Sequence, residues 1–378
     1  LILLSILLPL SAHAWGVVGM SGGVAAVGVS WGDAPPSKNV WYSCSPFGTG
    51  DIKTGSPTIT IETGGKATLS VAQTGNIGQG DRITYNTSSV AYIAKVVDSS
   101  HFYLVTAVGG TPSNVSGQTV NSIAHEYASL SAAVAGYSDS SHLNTSSLVT
   151  ADAILHFCCY RDHDDGTADT MSGQYAINFY GDIADDTRYF IIESDWPGGK
   201  WDDDYYRIEH TSTSGSQAIY LEDLKILWNN IQIKFITSYA DTIGYSNCTK
   251  SEFRRCYLKA SLSGSGNCRI IESPTGYLLL ENSIIEGASS GSWYQGGIRG
   301  GAGCNIEVYN CIFYNCLYGI INYIGTWDIR NCVLFGNGTD LYATTGVSYC
   351  ATDDDLTFTG RVDLNENASG EWAAAFTD

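Results

Sequence analysis

Basic residues are scarce in this chain. Its 378 residues include 19 Lys and Arg against 38 Asp and Glu, a net charge of −19. That balance excludes nucleic acid as a partner, because phosphate backbones are held through clustered Lys and Arg. Only 15% of residues are charged while 44% are hydrophobic, which suits a soluble β-rich protein whose acidity keeps it in solution. Catalytic signatures are missing as well. There is no H-E-x-x-H and no phosphate loop, so the zinc-peptidase helix and the P-loop are excluded. No C-x-x-C pair or Cys/His spacing suits zinc. The repeating part of the chain contains no credible helix, which excludes helical and leucine-rich repeats.

What the chain does have is a recurring corner. "VYNCIFYNCLYGI" places Asn310-Cys311 before alternating apolar residues, and "IRNCVLFGNGTDL" does the same with Asn331-Cys332. Upstream, "LENSIIEG", "FRRCYLKA" and "WNNIQIKF" put Asn282-Ser283, Arg255-Cys256 and Asn230-Ile231 in the same slot. The second members stand at 231, 256, 283, 311 and 332, so the steps are 25, 27, 28 and 21 residues. A period of this length that tolerates insertions marks a stacked solenoid. Each unit carries short strand-like runs, bounded by Gly, Asn or Ser. Coils stacked at about 4.8 Å place equivalent residues directly over one another. The asparagines are therefore expected to form a ladder at a turn, amide to amide and to backbone, and the following residue to point inward.

This pattern, with its Asn slots, coil length and "YNCIFYNC…IRNCVLFGN" run, resembles the right-handed parallel β-helix proteins of the pectate-lyase-like superfamily over roughly residues 123–350. The resemblance implies an all-β right-handed parallel β-helix with a helical cap. It does not choose a function, since the superfamily includes lyases, hydrolases, adhesins and proteins without known activity.

The remaining segments arrange themselves around that solenoid. Residues 1–14, "LILLSILLPLSAHA", read as a truncated Sec-type signal peptide ending in a small-x-small site; the run from Leu1 to Leu10 is too short to span a bilayer. An extracellular or cell-surface location is expected, and the chain is not expected to span a membrane. Residues 15–37 are a Gly-rich arm or linker ending in Pro35-Pro36. Residues 38–122 carry five strand patterns of a small antiparallel β-domain. "EYASLSAAVAGY" sets Leu130, Ala133, Val134 and Tyr137 on one face of a short helix near 127–137, which would cap the solenoid's first coil. Residues 351–378 form a C-terminal extension that is expected to continue. The 11 cysteines fit export, but Cys256, Cys311 and Cys332 fill an inward slot where thiols act as small hydrophobes, and most are expected to be free.

Two clusters carry candidate chemistry. In "CCYRDHDDGTADT", Asp162, Asp164, Asp165 and Asp169 surround Gly166, a density of oxygen ligands suited to Ca²⁺. The plain alternative is a solvated acidic loop with Asx-turns. In "SDWPGGKWDDDYYRIEH", Trp196, Trp201, Tyr205 and Tyr206 could stack on sugar rings, or the tryptophans could pack the loop onto the solenoid. The same loop holds Lys200, Arg207, Asp202, Asp204 and Glu209, the residues from which a lyase base or a hydrolase carboxylate pair would be drawn. No spacing among them sets a base, an acid and a cation together. The expected function is therefore non-catalytic binding of a polysaccharide or surface glycan. A polysaccharide lyase or glycoside hydrolase on the same fold is the first alternative. A structural subunit of an extracellular filament or spike, a homo-oligomer through stackable ends, is the second.

Overall fold

The computed structural model describes residues 39–161, 166–212, 218–222, 224–237, 242–247, 250–262, 269–273, 275–287, 296–322, 324–343 and 345–363. The expected signal peptide, the Gly-rich arm to residue 37 and residues 364–378 lie outside them. The described chain divides into two compact units.

The first unit begins with β1 (Asn39–Cys44), in which all six residues are buried. A strand covered on both faces belongs in a parallel sheet, and β1 pairs parallel with β8 (Ile154–Cys159), which in turn pairs with the strand Phe190–Ser194. Between β1 and β8 the chain makes a closed antiparallel barrel from β2 (Thr58–Ile61), β3 (Lys66–Leu69), β4 (Arg82–Tyr85), β5 (Ser89–Val96), β6 (His101–Val105) and β7 (Val115–Ala124). Alternate residues point into it: Ile59 and Ile61, Ala67 and Leu69, Ile83 and Tyr85, Phe102 and Leu104 are all buried in one cluster, as the two-residue period of a strand requires. Residues 39–44 thus leave the barrel and join the parallel sheet.

The barrel is fastened to β1 by specific bonds. Ser43 N donates to Gly80 O at 3.0 Å, and the Tyr42 hydroxyl donates to Ala107 O at 2.6 Å. Beneath it His125 Nδ1 meets Asp81 Oδ1 at 2.7 Å, with the Tyr160 ring stacked on the imidazole at 5.4 Å. Helix α1 (Leu130–Gly136) follows, N-capped by Ser129, with Leu130, Ala133 and Val134 buried. Tyr137 completes that face and donates its hydroxyl proton to Asp182 Oδ1 at 2.5 Å. The burial of Asp182 raises its carboxyl to about 6.

The second unit is built from long parallel sheets and is consistent with a β-solenoid. One sheet has seven strands: Ile177–Asn178, Ile219–Glu222, Thr242–Asn247, Arg269–Ser273, Gly296–Gly300, Tyr318–Ile321 and Thr339–Leu341. A second runs from Arg207–Ser212 to Val362–Asp363, and a third from Lys225–Asn229 to Val347–Ser348. The interval seen in the sequence is the register of this stack, since Asn229, Arg254, Glu281, Tyr309, Arg330 and Ser348 are successive partners.

The residue after each of these partners explains the asparagines. Asn230, Arg255, Asn282, Asn310, Asn331 and Tyr349 all have φ between 52° and 56°, the left-handed region that Asn tolerates better than other residues with a Cβ. Their backbone N–H groups reach the next coil: Asn282 N donates to Tyr309 O at 3.0 Å and Asn310 N to Arg330 O at 3.1 Å. The inward residues that follow, Ile231, Cys256, Ser283, Cys311, Cys332 and Cys350, are all buried. Tyr349-Cys350 is a sixth corner hidden from a search for Asn. Backbone conformation is thus the first demand of the slot. Asn310→Ala is expected to lower stability by about 1 kcal/mol and Asn310→Gly to leave it nearly unchanged. Equal losses in thermal melts of the two variants would instead assign the effect to the amide side chain.

Candidate functional site

The seven-stranded sheet presents an aromatic outer face. Register places Asn178, Tyr220, Tyr245, Glu272, Arg299 and Ile321 in one column across it. At one end Tyr175 and Tyr180 lean on Tyr220, with ring centroids 4.8 and 6.2 Å apart. Tyr180 is 69% exposed and Tyr175 37%. Toward the other end Tyr318 and the 57% exposed Tyr342 pair at 6.4 Å. Between the clusters Glu272 accepts from Arg269 at 2.6 Å and from Arg299 at 3.3 Å. Six strand steps of about 4.8 Å give this row a length of about 29 Å. The face offers ring surfaces for stacking and guanidinium groups for hydrogen bonding.

The loop after Ser194 behaves differently. Gly198 and Gly199 have φ of 87° and 110°, so the Pro197-Gly198-Gly199 turn folds the chain back on itself. Trp196, 2% exposed, and Trp201, half-buried, each set an edge against the Tyr257 ring, at 6.4 and 5.6 Å. Asp202 N donates to Gln232 Oε1 at 2.7 Å and Gln232 Nε2 returns a bond to Asp202 O at 2.9 Å. The two tryptophans therefore hold this loop on the strands that carry Gln232 and Tyr257.

Apart from the Arg207–Glu209 and Tyr206–Asp169 contacts, the other expected site residues are not brought together. Lys200 and Asp204 are exposed. Arg207 and Glu209 pair at 3.1 Å, with Lys234 adding a second cation at 3.7 Å. In the first unit Tyr205 is half-buried, while Tyr206 is fully buried and donates its hydroxyl proton to Asp169 Oδ2 at 2.6 Å. The same oxygen accepts from Leu130 N at 2.8 Å, so Asp169 anchors the start of α1. Burial raises its carboxyl above the usual range. Asp162, Asp164 and Asp165 lie outside the described residues.

A second acidic group forms where the stack ends. Asp340, Asp353 and Asp354 bring carboxylate oxygens within 4.8 Å of one another, a donor set that could hold a hard cation. Asp340 is fully buried. Its carboxylate accepts from the Thr352 hydroxyl, from Asn337 Nδ2 at 2.8 Å and from Asp353 N at 3.1 Å. Burial, opposed by these bonds, pushes its pKa up to about 7. In the sequence "ATDDDL" follows Asp340 by more than ten residues, and bonds from the Thr352 hydroxyl and Asp353 N join it to the Asp340 carboxylate.

A carboxyl raised in the folded state binds its proton more tightly there than in the unfolded chain. Its contribution to stability is full near pH 4 and is lost as pH rises toward 7. Asp340→Asn is expected to remove this slope, at most about 1.4 kcal/mol per pH unit. Urea melts between pH 4 and 8 check it, and an identical slope in both proteins would place the proton elsewhere.

No family model matches the chain, and no curated protein or solved structure is similar to it. Among the described residues, no helix is long and apolar enough to cross a membrane.

Proposed function

We propose that this chain is an extracellular right-handed parallel β-helix protein, of the pectate-lyase-like kind, that binds a polysaccharide or surface glycan without turning it over. The observation that carries the reading is the exposed tyrosine row, with Tyr175, Tyr180 and Tyr220 at one end and Tyr318 and Tyr342 toward the other. Rigid rings with two rotatable bonds give contact area at small entropic cost, and a sheet holds them at fixed spacing. In this reading Trp196 and Trp201 support the fold, and the tyrosines take the sugar-stacking role. The charged residues of the 196–209 loop are partnered or dispersed, which favours binding over catalysis.

Titration with a panel of acidic and neutral polysaccharides is expected to give micromolar-to-millimolar affinity, about −8 to −4 kcal/mol. Tyr180→Ala and Tyr220→Ala are expected to weaken it at least about tenfold, a loss of about 1.4 kcal/mol. Trp201→Ala should lower the melting temperature and leave affinity in place. Unsaturated products absorbing in the ultraviolet, or new reducing ends, would overturn the non-catalytic reading in favour of a lyase or a hydrolase.

A further inference from the structure

The buried thiols differ in what they meet. Those at the corners of the stack bond to backbone: the Sγ atoms of Cys311, Cys332 and Cys350 lie 3.1, 3.2 and 3.3 Å from the carbonyl oxygens of Tyr309, Arg330 and Ser348. Cys44 and Cys159 lie away from those corners and face each other. They are register partners in β1 and β8, both are buried, and their Sγ atoms are 3.2 Å apart. Parallel neighbours stand about 4.8 Å apart, inside the range of about 4.4–6.8 Å that a disulfide bridges between Cα atoms. A closing movement of about 1.2 Å reaches the bond length of about 2.0 Å. Cys158 does not compete, because it points to the other side of β8, 3.8 Å from Glu193 Oε1.

We infer that Cys44 and Cys159 are a disulfide site, closed by exchange with a small-molecule disulfide while β1 settles beside β8. One cysteine thiolate attacks a sulfur of the small-molecule disulfide and expels one thiol. The second cysteine thiolate then attacks the protein-side sulfur of that mixed disulfide and expels the other thiol. Two cysteine thiols are oxidised, one disulfide is reduced to two thiols, and the two cysteine protons pass to the departing thiolates. The bond would span 115 residues, the stretch that contains the whole barrel and α1. It would hold the first strand of the parallel sheet in place even when the barrel opens. Burial then shields it from reduction.

The test folds the full chain in a mixture of reduced and oxidised glutathione. Free thiols are alkylated under denaturing conditions, and the protein is digested without reduction. The expected result is a peptide pair joined through Cys44 and Cys159, with Cys311, Cys332 and Cys350 alkylated. Reduction should lower the melting temperature by on the order of 10 °C. The double variant Cys44→Ala/Cys159→Ala should melt at one temperature with or without reductant. Alkyl label on both Cys44 and Cys159 after oxidative folding, or either of them joined to a different cysteine, would overturn the assignment. The peptide map reads the native chain, so it decides the matter even if the double variant does not fold.

Discussion

Gly80→Ala is expected to destabilise the first unit by roughly 3–4 kcal/mol, whereas Gly48→Ala should cost only about 1–2 kcal/mol. Both glycines have positive φ, 83° and 96°, so both alanines pay for a conformation that a Cβ disfavours. The difference lies in what the new methyl meets. At Gly48 nothing lies within 4 Å, but at Gly80 the Cβ would stand 2.5 Å from Ser43 N and from the Tyr42 carbonyl carbon. Those are backbone atoms of β1 and cannot rotate aside. The barrel must back away, and the bond from Ser43 N to Gly80 O is lost with it. Denaturant unfolding of the two variants measures the contrast. Equal costs would mean that the barrel and β1 have room to part without penalty.

A second large effect is expected inside the parallel stack. Trp228 is fully buried and stacks on Phe253 of the next coil, centroids 5.8 Å apart and planes 6° from parallel. Its column continues through Leu280, Val308, Ile329 and Val347. Trp228→Ala removes a large side chain from a column whose next member, Phe253, is fixed by strand pairing, so little collapse can fill the space. A loss of about 3–5 kcal/mol is expected. Trp228→Phe should cost far less, within about 1.5 kcal/mol, because the ring stack survives and the indole N–H, buried without a hydrogen-bond partner, is removed together with its desolvation cost. Were the phenylalanine variant as unstable as the alanine variant, the indole N–H would have to be bonded after all.

The stack was legible because its repeat is local: an Asn, a small inward residue and an apolar alternation lie within a few positions of one another. The sequence suggested an amide ladder, but the property that Asn230, Arg255 and Tyr349 share is a positive φ, which a search for like residues passes over. β1 was grouped with the neighbouring strands because parallel pairing with β8 spans more than a hundred residues and leaves no local mark. The tyrosine face was invisible for the same reason. Tyr175 and Tyr220 lie a coil and a half-loop apart in the chain and meet only through stacking. The 196–206 loop drew attention by its density of Trp, Tyr and Asp. Density cannot tell a ring that is offered to solvent from one that pins a loop, and Trp196 is of the second kind.

The fixed corner has a consequence for how such a chain can change length. Steps of 25, 27, 28 and 21 residues, and of 18 at the last corner, all return to one backbone geometry, so every variation in coil size is absorbed between corners and none is passed on to the next coil. Excising residues 282–309 would join Glu281 directly to Asn310 and leave each column shorter by a single member, with its neighbours still in register. The molecule is in this sense a ruler with detachable gradations: the reach of its tyrosine row can be reset by whole coils, without redesign of any surface that remains.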